Sequence, residues 1–347
     1  MRRSRALSMT ALIGVAALAL SSCSAGTGTK TSGDSTGAAK GPAAAKVMKI
    51  AFNQPNTHPQ FIALQAMGER IKARTNGAYD VKVFPNETLG AQKDTIELVQ
   101  AGTIPMAMVA GPLLENFNPD FVVFNLPSVF DSQAHQAKVV NDPAIVSGLY
   151  SSIDSKNIHV LGAFFGGVRN VYNSKKPINT PADLSAMKIR VIQSDTNIAM
   201  MKLMGGTGTP MGQGDVYTAI QSGVLDGGEN NELIYSNLKH AEIAKYYSFT
   251  RHLMIPDYLI INPAVLKAMP AADQKVFQEE LTKAFAQEGA EFADQVKAAT
   301  AAATTAGATF NEVDAKAFAA ALAPLTASKL TDEITKGIYA KVRAAAN

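Results

Sequence analysis

The feature that most constrains the fold of this chain is an alternation of short extended and helical segments between Met187 and Leu233. The pattern predicts three strands separated by two helices, which run in chain order over 188–192, 196–204, 207–211, 215–222 and 224–228. Gly223 follows the second helix, where glycine readily adopts the left-handed conformation that ends a helix. Strands that alternate with short helices predict a parallel sheet covered on both faces, and therefore an α/β fold.

One charged residue, Arg190, interrupts the first of these strands. Side chains alternate along a strand, so Ile189 and Val191 share one face and Arg190 lies on the other. An unpaired guanidinium in a central parallel strand is costly, because such strands are usually apolar on both faces. Arg190 therefore lies at an exposed strand end, pairs with a nearby Asp or Glu, or meets an anionic ligand. Open α/β sheets bind ligands beyond the carboxyl ends of their strands, where Asn230 is also expected, but position alone leaves the alternatives open.

The remaining pattern predicts a second unit and a long helix. Residues 47–109 contain strand, helix, strand, helix and strand patterns, and the chain from Val47 onward is long enough for two domains. Further strands are expected over 158–165, 168–173 and 246–261. Asp273–Gly307 has an almost uninterrupted helical pattern, which corresponds to a rod of roughly 50 Å. Two helices that meet near Gly289 are the alternative.

Several motifs follow one another in a fixed order along the chain. They are K-I-R-V at 188–191, T-P-M at 209–211, D-V-Y-T-A-I-Q-S-G at 215–223 and L-D-G-G-E-N at 225–230. Leu89-Gly90, G-V-R-N at 167–170, and P-I with T-P-A-D-L between 177 and 184 extend the pattern over nearly all of the chain after residue 46. In this combination the chain resembles the solute-binding receptors of tripartite ATP-independent periplasmic (TRAP) transporters.

The resemblance implies a particular form of α/β fold. This is a two-domain fold like that of periplasmic binding proteins, with an interdomain ligand cleft, hinge strands and one long helix spanning both domains. Domain I would comprise residues 47–166 plus 256–295, and domain II residues 167–255 plus 296–347. The expected partners are a small-molecule carboxylate and the permease subunits of the transporter, and the receptor is expected to be a monomer.

The resemblance also implies roles for individual residues. In the family, the arginine of the K-I-R-V strand grips the substrate carboxylate, a role that falls here to Arg190. Asn230, after D-G-G-E, is a further ligand contact, and Arg169 in the G-V-R segment helps form the site. The chemistry agrees, since a planar guanidinium binds a carboxylate through two parallel hydrogen bonds, as lysine cannot.

Several details concern the ligand. The run G-E-N-N at 228–231 lacks the proline common after E-N, and with 190–195 and 245–248 it resembles the branch that takes hexuronates and related sugar acids. Gln213 stands where the family often has an aromatic residue, and an amide there favours hydroxyl partners. A hexuronate or aldonate is therefore expected, with another organic acid (a dicarboxylate or keto acid), or service to an ATP-driven importer, as the alternatives. Further candidate contacts are Asn53, His58, Gln92 and Lys93, of which His58 and Lys93 could instead face solvent.

The N-terminal segment predicts export and lipid anchoring. Residues 1–22 have three arginines followed by an apolar run, and L-S-S-C at 20–23 resembles a bacterial lipobox. Cys23, the single cysteine, is therefore the expected lipid attachment site, so the protein would be extracytoplasmic, in the periplasm or on the outer face of the cytoplasmic membrane. Residues 23–46 are rich in Gly, Ser, Thr and Ala, which predicts a flexible linker.

Charge and motifs argue against other classes of function. Three of the 32 Lys and Arg residues lie within 1–22, which leaves 29 against 29 Asp and Glu, so no basic field suggests a nucleic-acid partner. The five histidines form no metal-binding pattern, and no nucleophile elbow or phosphate-binding loop occurs in its proper context. The sequence therefore predicts a non-enzymatic receptor without metal or cofactor.

Overall fold

The computed structural model describes residues 45–346, so the predicted signal peptide, Cys23 and nearly all of the predicted linker lie outside the described residues. The strands are β1 (Lys46–Ala51), β2 (Tyr79–Phe84), β3 (Met106–Ala110), β4 (His159–Asn173), β5 (Lys188–Val191), β6 (Thr207–Pro210), β7 (Gly227–Asn230), β8 (Tyr246–Ile261) and β9 (Thr309–Glu312). The α-helices are α1 (Pro59–Arg74), α2 (Gln92–Gln100), α3 (Gln133–Val140), α4 (Pro143–Ser151), α5 (Asp195–Leu203), α6 (Val216–Gln221), α7 (Glu232–Asn237), α8 (His240–Ile243), α9 (Pro263–Lys267), α10 (Ala271–Thr305), α11 (Ala315–Lys329) and α12 (Glu333–Ala344). Short 3₁₀ helices cover Gly111–Asn116, Pro119–Asn125, Asp154–Lys156 and Pro181–Leu184.

The described strands form one mixed sheet with helices on it, in the order β2-β1-β3-β8-β4-β7-β5-β6, and β9 pairs with β8. At each end of the sheet the strands are parallel, as expected from the alternating pattern. In the middle, β8 runs antiparallel to β3 and β4, and β4 runs antiparallel to β7. The α/β class is confirmed, whereas an all-parallel sheet is not, because two long return strands join the parallel ends.

The two long central strands, β4 and β8, connect the halves of the sheet. The separate strands expected over 158–165 and 168–173 are one strand, because Gly166 and Gly167 continue the chain as part of β4. The pairing with β8 shifts register between Phe165 and Val168, where Gly167 takes a left-handed φ of 83°. A Cβ at this position would lie 2.5 Å from Asn231 Nδ2, so a larger residue would not fit. The predicted domain boundaries at 166/167 and 255/256 fall inside these two strands.

The long helix α10 has 35 residues and is continuous, so the alternative of two helices that meet near Gly289 is wrong. It packs against α1 on one half of the sheet and against α7 on the other. Near its start, the Glu280 carboxylate accepts hydrogen bonds from Arg74 Nη1 and Lys283 Nζ, each at 2.7 Å. No helix among residues 45–346 combines the length and apolar character that a membrane span needs.

Strand β7 is displaced from its predicted range of 224–228. It begins three residues later than predicted and ends two residues later. It contains no apolar side chain, and its position is set instead by pairing with β4, where Asn230 lies opposite Asn170. Gly227 is required there, because a Cβ would lie 2.0 Å from the backbone oxygen of Tyr172. Asn230 is consequently the last residue of the strand and not part of a following loop.

Candidate functional site

A polar cavity lies where the two halves of the sheet meet. Elements from both halves line it, with the residues Asn53, Gln54, His58, Gln92, Ala110, Gly166, Arg169, Arg190, Ile192, Gln213, Asn230, Asn231, Ile234 and Asp257. Seven of the eight predicted contact residues are in this set, and the exception, Lys93, is exposed on α2. The structure therefore brings together predicted contact residues that are far apart in the sequence. The most distant two, Asn53 and Asn230, are separated by 177 positions.

Arg190 reaches this cavity from β5 and is 5% exposed. Its Nε donates to the backbone oxygen of Met211 at 2.9 Å, which orients the guanidinium. Across residues 45–346, its two Nη atoms have no acceptor and no carboxylate lies within ion-pair distance, so the alternative of a pair with Asp or Glu is wrong for the described chain. Burial lowers the pKa of Arg190, and the more distant Glu229 carboxylate opposes that shift. The arrangement leaves a buried positive charge facing the cavity.

Arg169, which reaches the cavity from β4, is held by an acidic partner. Its Nε donates to Glu229 Oε2, and its Nη2 donates to Glu229 Oε1 at 2.8 Å and to the Glu229 backbone oxygen at 2.7 Å. Burial alone would raise the pKa of Glu229, but Arg169 and His252 lower it to about 2. The pair is therefore neutral overall, and the role of Arg169 in carboxylate binding stays a prediction.

Asn230 links this ion pair to the cavity. Its Oδ1 accepts from Arg169 Nη1 at 3.1 Å and from the Asn231 backbone N–H at 2.9 Å. Both acceptor bonds hold the side-chain amide in one orientation, so its NH₂ group is the part left for a ligand. Asn231 itself is structural, since its Nδ2 donates to the Gly166 oxygen at 2.9 Å and its Oδ1 caps α7.

Residues from the first half of the sheet add neutral hydrogen-bonding groups. His58 caps α1 by accepting from the Gln60 backbone N–H at 3.2 Å, and burial lowers its pKa to about 3, so the ring is neutral. Gln92 Oε1 accepts from the Ala110 backbone N–H at 3.2 Å. Within the described chain, Gln54 Oε1 and Gln213 Nε2 are buried without a partner. Buried polar atoms without partners are rare, so these two atoms favour a bound polar ligand.

A contact between two loops lies beside the cavity. Glu87, in the loop after β2, accepts a hydrogen bond from the Gly214 backbone N–H at 3.1 Å. Gly214 lies in the loop after β6, which also carries Gln213 and the Met211 oxygen that holds Arg190. A Cβ at Gly214 would lie 2.5 Å from Glu87 Oε2, so glycine permits the approach. The two halves of the sheet are thus joined beside Arg190.

Some lining residues are not predicted by the sequence pattern. Asp257 is a carboxylate in β8 among the buried residues Ile255, Tyr258 and Leu259. A charged residue within an apolar strand is also the sequence feature that singles out Arg190. Gln54 is adjacent to Asn53, a predicted contact, and extends the same strand end. The described residues contain no group of three His, Cys, Asp or Glu side chains that could hold a metal ion.

Comparisons with known proteins agree with this architecture. The family model described as bacterial extracellular solute-binding protein, family 7, matches residues 50–332. A TRAP periplasmic solute-binding protein from Anaerococcus prevotii, solved with bound α/β-D-glucuronate, is 37% identical with a TM-score of 0.84, covering 86% of this chain and 97% of that one. Another from Xanthobacter autotrophicus, solved with bound β-D-galacturonate, is 32% identical with a TM-score of 0.82, covering 86% and 99%.

A sequence relative points to the same class of protein. The 2,3-diketo-L-gulonate-binding periplasmic protein YiaO of Escherichia coli is 32% identical over 221 residues, which are 64% of this chain and 67% of YiaO. The family model spans well over half of the chain. It confirms the family that the order of the sequence motifs predicts. This chain belongs to the bacterial extracellular solute-binding proteins of family 7.

Proposed function

We propose that this protein is the extracytoplasmic solute receptor of a TRAP transporter and binds a hexuronate. The observation that carries the proposal is the buried guanidinium of Arg190, whose Nη atoms face a polar cavity without an acceptor among the described residues. A ligand carboxylate would supply the missing negative charge through two parallel hydrogen bonds. The bound glucuronate and galacturonate of the two solved relatives support a sugar acid.

The other cavity groups suit the hydroxyls of such a ligand. Gln54 Oε1 and Gln213 Nε2 offer an acceptor and a donor that lack partners in the described chain, and the Asn230 amide adds a donor. A plain dicarboxylate or keto acid would leave these groups unpaired, which is costly in a buried site. The amide of Gln213 therefore favours the sugar-acid branch over the other organic acids.

Binding is proposed to couple to closure of the two predicted domains. The pairing of β4 with β8 shifts register between Phe165 and Val168, beside Gly167, and again between Arg169 and Val171, so this stretch of the connecting strands is irregular. Ligand would bind one half first, and closure would then bury its carboxylate against Arg190, with Arg169 nearby. Exclusion of water strengthens that ion pair, because charges interact more strongly at low dielectric constant.

The proposal also includes membrane attachment of the protein and its contact with the permease. Cys23 would carry a lipid anchor, the linker would give the receptor reach, and the ligand-bound monomer would dock on permease subunits of the transporter. Mass spectrometry of the membrane-extracted protein tests the anchor, because a diacylglyceryl group would add its mass to a chain that begins at Cys23. A chain that retains residues 1–22 would contradict it.

A ligand screen tests the proposal directly. We expect D-glucuronate or D-galacturonate to raise the unfolding temperature of the purified protein, and aldonates, diketogulonate, dicarboxylates, keto acids and amino acids complete the panel. A ligand at a thousand times its Kd stabilises the folded state by about 4 kcal/mol, which a thermal shift readily detects. A response to plain dicarboxylates or keto acids alone would show that the sugar-acid assignment is wrong.

The anchor role of Arg190 has its own test. Arg190→Ala should weaken binding of the cognate ligand by about 2–5 kcal/mol, as truncation of one partner in a buried charge pair usually does. Isothermal titration calorimetry measures the loss, with Arg251→Ala as the control, since Arg251 is exposed and pairs with Glu312. A loss of less than tenfold for Arg190→Ala would exclude it as the carboxylate anchor.

A further inference from the structure

Asp257 is the one acidic side chain of the described chain that lines the cavity. The contacts around it do not account for a charged residue at this position. Its Oδ2 accepts from Gln60 Nε2 at 2.9 Å, whereas the contacts of residues 45–346 give Oδ1 no donor. The side chain keeps some accessible surface, and no Lys or Arg of the described chain lies within ion-pair distance. One carboxylate oxygen is thus left facing the cavity.

Neighbouring residues hold this carboxylate in place. Gln60 is 1% exposed, and its Nε2 also donates to the Phe165 backbone oxygen at 3.1 Å, so the amide is fixed by two acceptors. At Gly166, an added Cβ would lie 3.3 Å from Asp257 Cγ and 2.6 Å from the Ile255 oxygen. The space that the carboxylate occupies therefore depends on a glycine and on a buried glutamine. Such support is typical of a side chain that a ligand contacts.

The position of Asp257 relative to Arg190 defines two ends of the site. Arg190 lies on β5 and Asp257 on β8, with β7 and β4 between them in the sheet. Across the sheet, three strand spacings separate the two backbones by about 14 Å. They are also offset along the strands, because Arg190 is in register with Tyr172 of β4 through Gly228, whereas Asp257 lies opposite Phe164. Both side chains line the same cavity, so they approach it from opposite ends. A six-carbon acid held at Arg190 would direct its far end toward Asp257.

The charges at the two ends differ in sign. Burial raises the pKa of Asp257 to about 6, with Gln60 and Arg169 opposing the shift, so the group is largely ionised at pH 7.5. Arg169 is neutralised by Glu229, and the other nearby acid, Glu288 on α10, does not line the cavity. The ligand end near Asp257 therefore meets a negative charge, because the nearby cation, Arg169, is itself paired with Glu229.

We propose that Asp257 is a specificity-determining residue, which accepts a hydrogen bond from a ligand hydroxyl and rejects ligands with a second carboxylate at that end. This inference rests on the proposed function. It divides the sugar acids into monocarboxylates such as hexuronates, which are accepted, and hexarates, the corresponding six-carbon dicarboxylates, which are refused. Rejection follows from placing like charges together in a desolvated site, which weakens binding of the second carboxylate.

The test compares Kd values for D-glucuronate, D-galacturonate and their two hexarates by calorimetry at pH 7.5. The full chain should prefer each hexuronate by about 100-fold or more, as expected for like charges that meet in a desolvated site. In Asp257→Asn, the hexuronate Kd should rise and the preference should fall by about tenfold or more, since the amide keeps the Gln60 contact but lacks the charge. Asp215→Asn is the matched control, because Asp215 is exposed and lies beside the loop of Gly214 without lining the cavity. That control should keep the wild-type preference.

The outcomes separate the two proposals. If the unaltered protein binds no hexuronate, the proposed function fails and this inference fails with it. If it binds hexuronates but the preference of Asp257→Asn stays within about threefold of wild type, or Asp215→Asn changes it equally, only the role of Asp257 is overturned. Circular dichroism confirms folding of each variant, and Asp257→Ser provides the same comparison if Asp257→Asn does not fold.

Discussion

Two buried arginines in this protein differ in what balances their charge. Arg169 has Glu229 and His252 around it, whereas Arg190 has a backbone oxygen and, among the described side chains, no carboxylate in contact. Removing a charge from water costs several kcal/mol unless a partner compensates it. The folded protein therefore carries a cost at Arg190 that an anionic ligand would relieve, and this difference is the physical basis of the proposed carboxylate site.

Glu280 shows the opposite situation, a buried carboxylate with ample compensation. Burial alone would raise its pKa, but Lys283, Arg74 and Arg70 lower it from 4.5 to about 2. A lowered folded-state pKa stabilises the protein above the unfolded-state pKa, and this contribution is lost as the pH falls from about 4.5 toward about 2. Because Arg74 and Lys283 are partly exposed, solvent screening reduces the effect.

Glu280→Gln should accordingly lower the free energy of unfolding by about 1–2 kcal/mol at pH 7, and by less at pH 3. Urea denaturation at both pH values measures this. Glu279→Gln is the control, since the Glu279 side chain is 41% exposed and shares Arg74 with Glu280, and it should change stability far less than Glu280→Gln does. Equal losses at both pH values would show that packing, not charge, accounts for the effect.

Single residues can be predicted from the sequence where a charge breaks an apolar strand. Arg190 is found in this way, and Asp257 carries the same signal in β8, but no family motif covers it. Lys93 is expected near the ligand from its place at the start of α2, yet the helix turns it outward while Gln92 faces the cavity. Sequence position gives the helix but not its rotation about its own axis.

At the scale of elements, β7 depends on the absence of side chains. Its first two residues are glycines because the neighbouring strand β4 and the ring of Tyr172 occupy the space of a Cβ. The pairing that results places Glu229 opposite Val171 and Asn230 opposite Asn170, at the wall of the cavity. The glycines of this strand therefore determine where the cavity-lining amide of Asn230 lies.

Gly227→Ala should destabilise the protein by about 2–3 kcal/mol and weaken ligand binding, because the added methyl group overlaps the β4 backbone and shifts the strand. Chemical denaturation and calorimetry measure the two effects. Gly148→Ala is the matched control. Gly148 lies in α4, where an added Cβ would meet no atom within 4 Å, so alanine should stabilise by roughly 0.5–1 kcal/mol. An unchanged denaturation midpoint for Gly227→Ala would contradict this account.

Whole elements are predicted well where one period extends over many residues. The 35-residue helix α10 lies within two residues of its predicted bounds at each end, since its apolar stripe continues across Gly289. Strand β7 is displaced from its predicted place and β4 is longer than predicted, because glycines break the apolar pattern without breaking the strand. Antiparallel pairing in the centre of the sheet depends on which distant segments meet, and local periodicity carries no information about that.

At the scale of the whole molecule, α10 and the central strands connect both ends of the sheet. Apolar side chains pack into a cluster between β1, α1 and the first part of α10, and into another around Tyr172, Tyr235 and Tyr247 on the other half. A third cluster draws on both halves. The two-domain division stays a prediction, and it implies that ligand changes the spacing of the halves more than their internal packing.

Small-angle scattering tests that division. A hexuronate should reduce the radius of gyration of the unaltered protein, because closure brings the halves together. Arg190→Ala should show no such reduction at the same ligand concentration, and Arg251→Ala should behave like the unaltered protein. A ligand-saturated protein with an unchanged radius of gyration would contradict closure, even if calorimetry shows tight binding.

The hydrogen bond from Gly214 to Glu87 bears on how fast a bound solute can leave the cavity. It ties together two loops from opposite ends of the sheet, next to the guanidinium that faces the cavity. Opening of the proposed domain cleft at this edge would break the bond, so we expect its strength to act on the rate of escape more than on the rate of capture. We therefore predict that the Glu87 carboxylate, which contacts the opposite loop, sets part of the dwell time of a bound solute and with it the interval in which a receptor can deliver its cargo.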